Sequence, residues 1–190
     1  MQRAIVIGCP GSGKSTFARK LHEKCGLPLY YLDMIWWKDD ETTISKDEFD
    51  AKLQKILMRD AWIIDGNYNR TLEMRIDACD TVFFLDLPAE ACVKGIKARV
   101  GTKREDMPWV EKTVDDEFLQ FVLDFEKDSR PHILQLLEKY PQKNIVVFRS
   151  HEDANAYLES KKHGIERVNP TRKHKLKKKS FARKHRYQSS

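Results

Sequence analysis

The stretch Ala4-Ile5-Val6-Ile7-Gly8-Cys9-Pro10-Gly11-Ser12-Gly13-Lys14-Ser15-Thr16 decides the fold. Its first four residues are an uninterrupted apolar run, which suits a strand covered on both faces better than an alternating surface strand. Gly8 and Gly13, with four residues between them and Lys14-Ser15 behind, make the phosphate-loop pattern. They do so where that pattern has meaning, after a strand and opening a helix. Glycine permits backbone conformations closed to other residues, so successive N–H groups turn inward as an anion nest. In such a loop Lys14 neutralises the β and γ phosphates and the Ser15 hydroxyl takes a Mg²⁺ position. The positive end of the following helix adds to the field. Gly8, Cys9, Pro10, Gly11, Ser12, Gly13, Lys14, Ser15 and Thr16 are the expected nucleotide-binding residues, with ATP and Mg²⁺ as ligands. Cys9 sits at a variable position of the loop, where an inert side chain is the simpler reading and a redox thiol the alternative.

Outward from the loop, residues 16–25 place Phe17, Leu21 and Cys25 on one helical stripe that stops at Gly26, with Pro28 beyond. Residues 29–32 read as a second strand. Residues 45–60 read as a helix with Ser45 and Glu48 as a capping box. A third strand over 61–64, a short helical stretch over 71–76 and a fourth strand over 81–85 follow. A helix is expected over 88–100, a polar lid loop over 101–108, helices over 110–126 and 131–140, a fifth strand over 144–148 and a closing helix over 151–161. Alternating strands and helices predict a parallel sheet. The expected fold is α/β, a three-layer, doubly wound, five-stranded sheet of the nucleotide-kinase type with a small lid.

The charge is unevenly spread. Residues 161–190 hold twelve Lys or Arg and one acid, Glu166, whereas residues 1–160 hold 23 basic and 28 acidic residues. The basic pI therefore says nothing of a nucleic-acid-binding face on the folded part. We expect a kinase-like domain over 1–161 and a disordered basic tail over 162–190, whose composition cannot bury enough surface to offset ordering. Non-specific nucleic-acid binding or a solubility role are the two readings of that tail. Cys9, Cys25, Cys79 and Cys92 lack metal-ligand spacing and read as free thiols of a reducing cytoplasm. No apolar run approaches membrane-spanning length, and the N-terminus enters a strand without a signal-peptide segment.

Beyond the loop, Asp65 ends the third strand in Asp65-Gly66-Asn67-Tyr68, where parallel sheets expose ligand groups. It is a candidate Mg²⁺ partner with Ser15, although Asp-Gly-Asn is also good turn chemistry. Asp86, before Leu87-Pro88, competes for that role or caps a helix. Phosphoryl transfer needs cations that close over the transferring group. Arg99, Arg104 and Arg130, with Lys103, are the candidates, or else solvated surface charges. Asp33, Trp36, Asn67, Tyr68, Arg70 and Arg75 follow the second and third strands and are candidate acceptor-binding residues. Trp36 and its neighbour Trp37 either stack a planar substrate or pack. Arg149-Ser150-His151 borders the base in one reading, and His151 starts a helix in the other.

Residues 7–16, Leu29-Tyr30-Tyr31-Leu32-Asp33, Trp62-Ile63-Ile64-Asp65-Gly66-Asn67-Tyr68 and Lys103-Arg104-Glu105-Asp106-Met107-Pro108 together resemble the DNA topology modulation protein family, within the adenylate-kinase-like group of P-loop proteins. The resemblance covers about residues 1–160. It implies a core of five parallel strands, an ATP site at 8–16 and lid arginines at Arg99 and Arg104. The function expected is an ATP-dependent phosphotransferase for a nucleotide or small-molecule acceptor. The alternative is a nucleic-acid-associated ATP-binding regulator of DNA topology that uses the tail. The guanine-reading Asn-Lys-x-Asp pattern is absent after the fourth strand, which favours ATP over GTP.

Overall fold

A computed structural model describes residues 1–160; the expected tail and its nucleic-acid contact lie outside the described residues. The strands are β1 (Arg3–Gly8), β2 (Leu29–Tyr31), β3 (Trp62–Asp65), β4 (Thr81–Leu85) and β5 (Asn144–Phe148). They form one parallel sheet in the order β2-β3-β1-β4-β5. Side chains alternate across it because the strand period is two. Ile5, Ile7, Trp62, Ile64, Val82 and Phe84 enter one core. Ala4, Val6, Ile63, Phe83 and Leu85 enter the other.

The second core is covered by α1 (Lys14–Cys25) and α7 (His151–Ser160), which pack on each other. The first is covered by α3 (Lys46–Leu57), α4 (Asn69–Ala78), α5 (Ala89–Arg99) and α6 (Asp116–Lys139). The three-layer α/β expectation therefore holds, and three local expectations change.

Leu32 does not extend β2 but begins a short helix, α2 (Leu32–Trp36), where it is fully buried against Gly66. Helices over 110–126 and 131–140 are replaced by the single helix α6, which runs through Pro131. An interior proline costs a hydrogen bond and about 3 kcal/mol. The buried stripe Val122, Phe125, Ser129, Ile133, Leu136, Leu137 continues across it and outweighs that cost, with Pro131 on the exposed side. Residues 110–115 belong instead to the lid, a segment over 100–115 with neither helix nor strand, tied by Gly101 N–H donating to the Glu111 carbonyl at 2.8 Å. At Ser45 half of the capping box forms. The hydroxyl accepts from the Glu48 N–H at 3.1 Å, while the Glu48 carboxylate pairs with Lys52.

Candidate active site

The C-terminal ends of β1, β2 and β3 converge on two adjoining clefts. The first, about 520 Å³, is lined by the phosphate loop, the lid arginines Arg99 and Arg104, Asp106 and the face of α7. The second, about 800 Å³, lies between the β3–α4 turn, the lid and α6. Lys14, Asp33 and Arg99 line both, so one ammonium, one carboxylate and one guanidinium stand at the junction.

The phosphate loop bends at Gly11 (φ 79°) and Gly13 (φ 86°), the left-handed region that glycine enters without penalty. It is held from two sides. A Cβ on Gly11 would lie 2.1 Å from the Cys92 carbonyl, and one on Gly95 of α5 would lie 2.1 Å from the Gly11 carbonyl. Loop and helix therefore touch backbone to backbone. On the other flank His151 Nε2 sits 3.0 Å from the Ser12 carbonyl, so His151 braces the loop as well as lining the first cleft. Cys9 is buried. Interaction with the Cys92 thiol, with burial behind it, pushes its own thiol far above the ordinary range, which keeps it protonated and unreactive.

Asp65 is fully buried at the end of β3, and its Oδ1 has no hydrogen-bond partner. Burial pushes the carboxyl up to about 7, against the opposing pull of Lys14 and Ser15. A buried carboxylate oxygen without a partner beside Ser15 fits a divalent cation held mainly by phosphate and water. Among the described residues no group of three or more His, Cys, Asp or Glu side chains forms a metal cage by itself.

The lid arginines are already engaged. Arg99 donates to Glu111 Oε1 at 3.1 Å and its Nε lies 2.9 Å from Oε2 at a poor hydrogen-bonding angle. Arg104 lies 3.5 Å from Glu111 and 3.6 Å from Asp106. Lys103 is exposed and lines neither cleft. Arg130 is elsewhere. It forms a bidentate pair with Asp86 at 2.6 and 2.9 Å, shared with Arg149 at 2.9 Å, at a small cavity behind the loop. Asp86 thereby serves this ion cluster, and only Asp65 of the two faces Ser15 and Lys14.

On the acceptor side Asp33, Asn67 and Tyr68 come together in the second cleft. The Tyr68 hydroxyl donates to Asp33 Oδ1 at 2.7 Å, and burial raises the phenol well above its usual range. Tyr68 has φ 29°, an uncommon conformation for a residue with a Cβ. Arg75 holds it there. Its guanidinium is wholly buried and donates to the Gly66, Asn67 and Tyr68 carbonyls at 2.8, 2.5 and 3.0 Å. Arg70 points away, paired with Asp50 at 2.7 Å. Trp36 packs edge-on to Phe49 and Tyr68, whereas Trp37 enters the second cleft with Trp109, their rings 5.0 Å apart. Glu111 escapes sequence reasoning because it falls within an expected helix, Trp109 because nothing in its local pattern marks it, and Asp106, although within the quoted stretch 103–108, because nothing there marks it as the partner of Arg104. His151 starts α7, as one of its two expectations has it, and also braces the loop.

Comparisons with known proteins bear on the fold. No protein-family profile matches the chain. Adenylate kinase from Thermotoga neapolitana is 28% identical over 88 residues, and that from Thermotoga maritima 30% identical over 88 residues. Each match covers 45% of this chain and 39% of the relative, so the chain matches about two fifths of the length of these proteins. Shikimate kinase from Acinetobacter baumannii in complex with shikimate superposes with a TM-score of 0.56 at 17% identity, covering 84% of this chain and 90% of that one. Deoxyadenosine kinase from M. mycoides with bound dATP gives 0.51 at 12% identity, covering 85% and 98%. Among the described residues no helix is long and apolar enough to cross a membrane. The chain has the fold of the P-loop kinases.

Proposed function

We propose that this chain is an ATP-dependent phosphotransferase acting on a small-molecule or nucleotide acceptor. The observation that carries the reading is the junction, where Lys14, Asp33 and Arg99 line both clefts. A phosphoryl group leaving one cleft meets its acceptor in the other within reach of all three.

The N–H groups of the Gly11 to Thr16 part of the loop, other than the Ser12 N–H that donates to the Cys9 carbonyl, hold the triphosphate, and Lys14 follows the β and γ oxygens as charge builds on them. Ser15 and Asp65 would hold Mg²⁺, which would supply positive charge to offset that of the phosphates. Asp33, oriented by Tyr68, accepts a proton from the attacking group. Arg99 and Arg104 exchange Glu111 and Asp106 for phosphate oxygens, exchanging one charge-assisted bond for another. Arg130 has no part in this step. The DNA topology modulation resemblance supports a second reading, a DNA-stimulated ATPase switch whose DNA contact would come from residues 162–190.

The deciding experiment is a coupled ATP-consumption assay of the full-length protein against nucleosides, nucleoside monophosphates and hydroxy acids. Acceptor-dependent ADP release is expected, lost about 10³-fold in Lys14→Ala with the melting transition retained. Transfer surviving in Lys14→Ala would remove the mechanism. Hydrolysis without any acceptor, stimulated by DNA and cut back by deleting residues 162–190, would install the second reading.

A further inference from the structure

The second cleft has a chemical character that narrows its acceptor. Its aromatic groups are Trp37 edge-on to Trp109, Tyr68, and Phe118 stacked on Phe121 with ring centroids 6.4 Å apart. Such faces suit a planar ring. Beside them stand the amides of Asn67 and Asn69, joined by Asn67 Nδ2 donating to Asn69 Oδ1 at 3.0 Å. Asn67 lines the cleft, and its buried Oδ1 has no hydrogen-bond partner, an acceptor left for an N–H.

The charges point the same way. Three cations, Lys14, Arg99 and Lys112, line this cleft against four carboxylates, Asp33, Glu41, Glu111 and Asp115. Lys14 belongs to the phosphate loop and Arg99 is held by Glu111. The arginines on the acceptor side are spent elsewhere, Arg70 on Asp50 and Arg75 on three backbone carbonyls. Among the described residues a phosphate or carboxylate acceptor would meet more negative charge than positive. Asp33 adds a mechanistic argument. A hydroxyl has a proton to give up as it attacks, whereas a phosphate acceptor is largely deprotonated at neutral pH, with a second pKa of about 6.

We infer that the acceptor is an uncharged nucleoside, stacked on the aromatic lining, read through Asn67 and phosphorylated at a hydroxyl. The inference rests on the phosphotransferase reading above. The nucleoside oxygen forms a bond to the γ phosphorus as the bond from that phosphorus to the β–γ bridging oxygen breaks. The hydroxyl proton passes to Asp33 and then to solvent, and ADP leaves with the electron pair.

The test uses the full chain with Mg²⁺ and ATP, and matched pairs: adenosine and AMP, guanosine and GMP, cytidine and CMP, thymidine and dTMP, with shikimate as a carboxylate-bearing alcohol. At least one nucleoside is expected to show kcat/KM tenfold or more above its monophosphate, with shikimate inert. The same nucleoside should quench the tryptophan fluorescence through Trp37 and Trp109. Asn67→Ala should raise its KM about tenfold and leave the affinity for Mg²⁺ and the non-hydrolysable analogue AMP-PNP unchanged. Preference for a monophosphate, or turnover of shikimate, overturns the inference. So does failure of every nucleoside while AMP-PNP still binds, an outcome that leaves the phosphotransferase reading standing. Failure of AMP-PNP itself to bind overturns both.

Discussion

Two strand-to-helix turns leave neighbouring strands of the sheet, one from β1 into α1 and one from β3 into α4, and they are built on opposite plans. The first bends on its own glycines beside a cleft lined by Gly11, Gly13 and Lys14, the backbone form that takes an anion. The second passes through Gly66 and the strained Tyr68 and turns three carbonyls onto the Arg75 guanidinium, a cation from within its own helix. One turn leaves its electrostatic demand to a ligand. The other satisfies it internally, which fixes the backbone and leaves the side chains of Asn67 and Tyr68 to face the cleft.

Removing the internal cation breaks that comparison most directly. Arg75→Met leaves three carbonyls without their partner, at roughly 1–3 kcal/mol each, partly offset because a buried charge is also removed. A net loss of about 3 kcal/mol is expected from urea unfolding. Lysine should not restore it, since one ammonium lacks the planar fork that reaches all three carbonyls. A loss below about 1 kcal/mol would mean that the turn holds itself.

The side that faces the first turn is the converse case: Asp65, at the end of β3 and opposite Lys14 and Ser15, is a buried group that lacks its partner until a ligand arrives. Asp65 has a carboxyl near 7 in the folded protein, against about 3.9 when unfolded. Between those values the folded state binds more protons, so stability falls as pH rises through the window and levels off above it. At about 1.4 kcal/mol per pH unit, this group costs the ligand-free protein about 2–3 kcal/mol between pH 5 and pH 8. Asp65→Asn should therefore flatten the stability profile and be the more stable variant at pH 8, while binding Mg²⁺ and ATP more weakly. Melting scans at the two pH values, with and without nucleotide, check both halves. Parallel profiles for the two proteins would show that Asp65 is not the strained group.

The contrast between the turns also explains what the sequence made legible. The phosphate loop carries its geometry and charge within nine consecutive residues, so its motif is complete in the chain. Apolar runs placed every strand for the same local reason. Arg75 acts seven to nine positions from the carbonyls it holds, and as a residue type it looks like any acceptor-side cation. Arg130 looks like a lid residue until the continuity of α6 across Pro131 brings it to Asp86. Glu111 was hidden by an expected helix that proved to be lid. Gly95 gave no signal, because a mid-helix glycine is locally unfavourable and its reason, the Gly11 backbone, lies more than eighty residues earlier. That reason yields a prediction in which two effects oppose. Gly95→Ala gains about 1 kcal/mol of helix propensity but overlaps a backbone carbonyl that cannot swing aside, at roughly 1–3 kcal/mol. A net loss of about 1 kcal/mol and weaker AMP-PNP binding are expected, and a stabilised variant with unchanged binding would mean that loop and helix do not touch.

The smallest change separates the two turns by function. Tyr68→Phe deletes the hydroxyl that donates to Asp33 at 2.7 Å but keeps the ring stacked on Phe49, with centroids 5.2 Å apart. The Arg75 bonds go to backbone carbonyls and are untouched, so stability should drop by only about 1 kcal/mol. Asp33 loses the donor that orients it, and kcat should fall about 3–10-fold at saturating nucleoside. The affinity for ATP should stay within about twofold, because the phosphates rest on the other turn. A fall in ATP affinity equal to the fall in kcat would place Asp33 with the donor phosphates. An unchanged kcat would mean that the β3–α4 turn positions Tyr68 for packing alone.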